Sequence, residues 1–205
     1  MELYNLYPGS WNSNCYVLIG GEQDEKRAAV IDPSADANTI LRFIQEKNAV
    51  LELIVLTHGH FDHIESIDAL RDASNATVCI HKDDNEMLSD GRKNAYAFFF
   101  GKDRRWRPAE RLLEDGDLLS IGNEVMKVIS TPGHSKGSIC LLCGNILITG
   151  DTIFANGYGR YDLHGGNPSA LRDSLLGLGK LDGNLTIYPG HGESARLADA
   201  LDRLL

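Results

Sequence analysis

The chain has 205 residues, 42% of them hydrophobic and 24% charged, enough for one domain over 1–205 with a substantial core. A formal charge of −9 argues against nucleic acid as the main partner, because phosphate binding needs a net basic surface, and no apolar run is long enough to cross a bilayer. Four cysteines (Cys15, Cys79, Cys140, Cys143) are too sparse for a disulfide framework, so with no basic-then-apolar leader in view a reducing, cytoplasmic setting is expected.

In chain order, "CYVLIG" (15–20) and "RAAVID" (27–32) read as strands, and "ADANTILRFIQEKN" as a helix with Ile40, Leu41 and Ile44 on one face. The strand "LELIVLT" (51–57) precedes a helical pattern, "HIESIDALRDAS", starting near His63 with Ile64, Ile67 and Leu70 on one face. "TVCI" (77–80) is a further strand. Residues 89–117 are the least regular stretch, too rich in aromatics for a disordered linker, and loops of that length tend to be functional. "EVMKVIS" (124–130), "ICLLC" and "ILIT" follow as strands, the last two joined by a Gly-Asn turn. A helix in "PSALRDSLLGLGKL" after Asn167, a strand "LTIY" and a final helix in "SARLADALDRLL" complete the series. Mixed hairpins and inserted helices predict an α/β (α+β) fold of sheets covered by helices. Cys140 and Cys143 fall three apart on a strand, hence on opposite faces, and are read as packing residues rather than a metal grip.

Of seven histidines, three lie in "THGHFDHI" (57–64). In extended backbone His58 and His60 share a face and can point at one atom, while Asp62 and His63 emerge at the turn and can point elsewhere. Two adjacent metal sets explain the crowding. A divalent ion that keeps a position for water needs about three protein donors, so two need about six, one of them able to bridge. His134 in "TPGHSKGS", Asp151 in "ITGDTIF" and His191 in "YPGHGES" can supply the rest, each placed after an apolar strand and beside glycine. Any one of these alone would be an ordinary structural histidine; the repeated context favours metal. His81 and His164 lack matching partners and are read as structural, with a substrate contact as the alternative for His164.

The ordered set H-x-H-x-D-H, "PGH", "TGD" and "PGHG" resembles the metallo-β-lactamase superfamily over nearly the whole chain. That resemblance implies an αββα four-layer sandwich with two divalent ions at the rim between the sheets, zinc first and iron or manganese also suited. It implies one ion on His58, His60 and His134, the other on Asp62, His63 and His191, and Asp151 bridging, with Asp62 and Asp151 as catalytic carboxylates. "GDTIFANGYGRYDLHGG" is similar to a stretch of glyoxalase II-like hydrolases, which cleave S-acylglutathione thioesters such as S-lactoylglutathione. A small-molecule thioester, a glutathione conjugate among the candidates, is therefore the expected partner. Arg160 matches a glutathione-binding basic residue, with Tyr158 and Tyr161 beside it, and a surface salt bridge is the alternative for Arg160. Two departures point to the short, single-domain relatives: only 14 residues follow His191, and Gly59 stands where longer glyoxalase II enzymes usually have histidine.

The expected chemistry is attack by a metal-bridging hydroxide, with a thiolate of conjugate-thiol pKa roughly 8.5 leaving unaided. Asp62, at the expected helix start, would also sit favourably in the helix dipole. "GKDRRWR" (101–107) reads either as an anion-attracting lid or as a solvated stretch balanced by the downstream "EDGD", with the second preferred. The rivals are a mononuclear non-haem iron persulfide dioxygenase, disfavoured because those enzymes read "PAHD" where this chain reads "PGHG", and a non-enzymatic metal-binding module.

Overall fold

The computed structural model describes residues 1–6, 10–22 and 25–204. Strands β1 (Glu2–Asn5), β2 (Tyr16–Gly20) and β3 (Lys26–Ile31) run antiparallel in turn, and β4 (Ala49–Val55), β5 (Thr77–His81) and β6 (Arg111–Leu113) extend that sheet in parallel from β3. A second sheet places β7 (Leu118–Ile121), β8 (Glu124–Ser130), β9 (Ile139–Cys143), β10 (Ile146–Gly150), β11 (Thr186–Pro189) and β12 (Ala195–Arg196) side by side; β10 and β11 pair in parallel and the other neighbours antiparallel. The helices are α1 (Ala37–Glu46), α2 (Ile67–Ser74), α3 (Asn85–Leu88), α4 (Tyr96–Phe100), α5 (Pro168–Leu178) and α6 (Leu197–Leu201).

Period-two alternation of apolar residues builds the layers. Tyr16 and Leu18 of β2 meet Met126 and Val128 of β8 between the sheets, whereas Val17 and Ile19 turn outward to the core shared with Ile40, Ile44, Ile67 and Leu70 of α1 and α2. On the far side, Leu147 and Ile187 pack under Leu171, Leu175 and Leu178 of α5 and Leu197 of α6. Helix, sheet, sheet, helix is the αββα sandwich that the family resemblance implied, and it fits the sheets covered by helices expected from the element order. Because both faces of the inner strands are covered, they read as continuous apolar runs. Cys143 enters the core between the sheets and Cys140 the core under α5, so the pair points to opposite faces as the strand spacing required. No helix among the described residues is long and apolar enough to cross a membrane.

The helix expected from His63 starts later, at Ile67. The backbone is diverted before that point: Phe61 N–H donates to the Asn94 carbonyl, Ser66 N–H to the Pro33 carbonyl, and Ser66 Oγ to the Ala35 carbonyl. Asp62 therefore does not sit at a helix N-terminus. The last helix is also shorter than its pattern, because Ala195 and Arg196 pair with Ile187 and Thr186 as a strand, and Leu205 lies outside the described residues.

Residues 89–117 contain α4 and β6 rather than one long loop. Within them, 101–107 is mostly exposed, as the preferred solvated reading expects, but its arginines are balanced by acids other than "EDGD". Arg107 pairs with Asp68 and Asp72 of α2, Arg104 with Glu65, and Arg105 with Asp103, while the buried Trp106 donates through Nε1 to the Glu65 carbonyl.

Candidate metal centre

β8 and β10 run the same way because both are antiparallel to β9, and β11 runs parallel to β10. Their C-terminal ends share one rim, and the next residues out include His134, Asp151 and His191. From the facing sheet, the end of β4 delivers His58, His60, Asp62 and His63 to the same place.

Donor atoms of His58, His60 and His134 fall within 4.8 Å of one another, as do those of Asp62, His63 and His191. Asp151 Oδ2 faces both sets, 3.6 Å from His134 Nε2 and 3.5 Å from His191 Nε2, and Oδ1 lies 3.6 Å from His63 Nε2. Asp62 Oδ2 is 3.5 Å from His63 Nε2 and 3.3 Å from His191 Nε2. The sets are adjacent, with the rings of His58 and His63 centred 4.3 Å apart. Buried atoms of this group, His58 Nε2, His60 Nε2 and Asp151 Oδ1, have no hydrogen-bond partner among the described residues. A buried lone pair without a donor is costly unless a cation completes it, so the donor set fits divalent ions.

Four of the five rings are fixed from behind, whereas His60 Nδ1 faces His134 Nε2 at 2.8 Å inside the set. Thr57 Oγ1 donates to Asp32 Oδ2 (2.6 Å) and so accepts from His58 Nδ1 (3.1 Å), which leaves the His58 Nε2 lone pair free. His63 Nδ1 donates to Asp32 Oδ2 at 3.1 Å, His134 Nδ1 to the Arg160 carbonyl at 2.6 Å, and His191 Nδ1 to the Asn12 carbonyl at 3.2 Å. Asp32 also lies with His58 and His63 in a third compact donor group, but it faces the back of His63 and serves as the support.

Electrostatics divide the centre. Burial and neighbouring imidazoles push His58 and His60 well below the usual histidine range. Burial likewise opposes charge on His63, but Asp62, Asp151 and Asp32 outweigh it and raise its pKa to about 10. For Asp62, burial is overcome by His63 and His191, and the carboxyl is held below its ordinary value. His58 and His60 are thus kept neutral, while Asp62, Asp151 and Asp32 gather around His63.

Several supports had no motif to reveal them. Asp32 follows strand β3 as one acidic residue among many. Asp84 is fully buried and accepts from Gly59 N–H (3.1 Å), Ser135 Oγ (2.6 Å) and Gly137 N–H (2.7 Å), tying the His58–His60 loop to the His134 loop. Near the N-terminus, Ser13 Oγ donates to Asp62 Oδ2 (3.0 Å) and Asn14 Nδ2 to the Pro189 and Gly192 carbonyls (2.8 and 2.9 Å).

A family model described as the metallo-β-lactamase superfamily matches residues 8–191. The chain belongs to the metallo-β-lactamase superfamily. A probable metallo-hydrolase of Bacillus subtilis is 33% identical over 195 residues, 94% of this chain and 90% of that protein. The crystal structure of the B3 metallo-β-lactamase BLEG-1 superposes with a TM-score of 0.90 at 30% identity, covering 98% of this chain and 97% of that one. A protein solved in a di-iron-bound form superposes with a TM-score of 0.82 at 30% identity and 96% coverage of both chains.

Around this superfamily centre, Arg160 lies at the cavity in front of the donors, with its guanidinium paired to Asp162 through two bonds of 2.7 and 2.8 Å. Its backbone carbonyl, not its charge, touches His134. Tyr158 and Tyr161 are not beside it in that cavity: they line a separate hollow against α5 with Arg172 and Leu175. His81 is buried, its Nδ1 accepting from Asp83 N–H and its Nε2 lying 3.3 Å from Ser130 Oγ, and His164 pairs with Glu86 at 3.5 Å. Neither joins the metal donors.

Proposed function

We propose that this chain is a metal-dependent hydrolase that cleaves thioesters, of the hydroxyacylglutathione hydrolase type, acting on S-lactoylglutathione or a related thioester. One observation carries the reading: two donor sets, sharing Asp151 and holding unpartnered buried atoms, form the floor of an open cavity.

His58, His60 and His134 would hold one ion and Asp62, His63 and His191 the second, with Asp151 common to both; zinc, iron and manganese all suit these donors. The di-iron form of a related structure supports a two-ion occupancy. When bound, such a pair lowers the pKa of water from about 15.7 to about 7 and polarises an acyl carbonyl. The protein's own part is positioning. Asp32, Thr57 and the carbonyls of Asn12 and Arg160 hold four of the five imidazoles in orientation, which limits reorganisation during reaction. Asp62 and Asp151, both reaching the cavity, can accept hydrogen bonds from an attacking water and so orient its lone pair toward the acyl carbon.

The leaving group follows from what lines the cavity. Beyond the donor set and Arg160, the described lining adds only the Trp11 indole N–H to carbon and backbone, and an indole is no acid, so a leaving amine would find nothing further to protonate it. A thiolate needs none, because its conjugate thiol has a pKa of about 8.5. Arg160, at the cavity edge, would meet the polar end of the thiol portion.

Elemental analysis paired with assays on S-lactoylglutathione and simpler thioesters tests the reading. It predicts two ions per chain and thioester cleavage lost on chelation. One iron per chain, with oxygen uptake on glutathione persulfide, overturns it.

A further inference from the structure

The wall above the metal centre carries information that the donors do not. Trp11, Phe61, Ala95, Phe99, Phe154 and Leu163 line a cavity of about 290 Å³ whose floor is the candidate ligands. Three of the rings form one cluster at its mouth, with Trp11 5.6 Å from Phe61 and 5.8 Å from Phe99, and Phe61 5.5 Å from Phe99 between centroids. Phe61 is buried, but Trp11 is 54% exposed and Phe99 42%, so large apolar faces are left to water beside the donors.

The position of Trp11 is costly. Its backbone is left-handed (φ 59°, ψ 25°), a region that bulky side chains avoid. It is held there because the following residues are anchored to the metal rim, Asn12 through its carbonyl to His191 and Ser13 through its hydroxyl to Asp62. The same loop that steadies the second donor set thus presents an indole over the cavity. On the polar side, Arg160 is the one lysine or arginine among the described lining residues, and Asp162 already takes both edges of its guanidinium. A cavity built this way has much to offer a hydrocarbon within, and leaves Arg160 at its edge as the one cation for the thiol portion.

We propose that this cavity receives the acyl group of the thioester, and that this group is an apolar chain of several carbons rather than a small hydroxyacyl group. The inference rests on the thioesterase reading above and places the substrate among its related thioesters rather than on S-lactoylglutathione itself.

The experiment uses metal-loaded protein and S-acyl-N-acetylcysteamine esters with acetyl, butyryl, hexanoyl, octanoyl and lactoyl groups on the same small thiol. Expected is a rise in kcat/KM of about two- to fourfold per added methylene, within the range that hydrocarbon burial supports. Trp11→Ala and Phe99→Ala flatten that rise; Phe99 is on a half-exposed helix, so its variant keeps the test open if Trp11→Ala fails to fold. A flat or falling series, or a lactoyl ester turned over faster than the hexanoyl ester, overturns the proposal. If no ester is cleaved, the thioesterase reading fails, and calorimetry with sodium octanoate and sodium acetate decides the cavity separately. Octanoate binding at least tenfold tighter, with the advantage lost in Phe99→Ala, upholds an apolar acyl site; equal affinity removes it.

Discussion

Asp32 braces His63: its Oδ2 accepts from His63 Nδ1 at 3.1 Å, with both side chains buried. The same oxygen accepts from Thr57 Oγ1, which in turn accepts from His58 Nδ1, and Oδ1 takes Thr57 N–H at 2.7 Å. One carboxylate therefore sets the tautomers of a histidine in each donor set. Replacing Asp32 with alanine should lower affinity for both ions by about 10- to 100-fold, the usual effect of losing such a partner. Competition with a calibrated chelator measures it; unchanged affinity at both positions would show that Asp32 has only a packing role.

Gly190 is required for the neighbouring carboxylate. A Cβ there would collide with Asp151 Oδ1 and stand 2.8 Å from His63 Cε1. Gly190→Ala should therefore displace Asp151 and deplete bound metal while leaving the sandwich folded, as read by elemental analysis beside circular dichroism. Gly59 is confined on a different side, where a Cβ would lie 2.7 Å from Met87 Cβ and 3.2 Å from the Asp84 carbonyl oxygen. A histidine at that position, as in longer glyoxalase II enzymes, has no room here, and Gly59→Ala should cost about 1–3 kcal/mol through overpacking, measured by urea denaturation.

Asp84 joins two loops that both carry donors of the first set. Burial raises its carboxyl pKa, opposed by the bonds from Ser135, Gly137 and Gly59. With alanine in its place, Gly59 and Gly137 N–H groups lose their partner, at a cost of about 1–3 kcal/mol each. The ion on His58, His60 and His134 should then be removed by chelator before the one on Asp62, His63 and His191. Loss in the reverse order would contradict this assignment of the loops.

All four cysteines are buried and free. Burial raises Cys15 to about 12 and Cys79 and Cys140 to about 11, above the roughly 8.5 of an exposed thiol. The folded state favours the protonated thiol, so this contribution to stability is complete below the unfolded thiol pKa and is lost as pH rises toward the folded values. Native protein at pH 8 to 9 should resist iodoacetamide, whereas four thiols should react in denaturant. Rapid labelling of Cys15 or Cys140 without denaturant would refute their burial.

Much of the fold was legible because buried strands leave a dense signal. "EVMKVIS" coincides with β8 and "ICLLC" with β9, since period-two packing between the sheets fixes both. β1, β6 and β7 were missed: they are short, and carry exposed residues such as Leu112 and Leu118 that blur alternation. The seven donors could be read from "THGHFDHI", "PGH", "TGD" and "PGHG", and the structure brings those side chains to one rim. Their supports could not. Asp32, Asp84 and Asn14 act through contacts spanning 25 to 178 positions of sequence, and no local spacing encodes them. Tyr158 and Tyr161 show the converse failure, since proximity to Arg160 in sequence did not bring them into the same cavity.

Metal stoichiometry in a donor variant distinguishes two donor sets from one. Wild-type protein and Asp62→Ala, loaded with excess zinc and freed of loose metal by gel filtration, are compared by elemental analysis. Two ions per chain are expected in the wild type and one in Asp62→Ala, with the remaining ion on His58, His60 and His134. Equal metal content in the two proteins, or a single ion in the wild type, would contradict the presence of two sets.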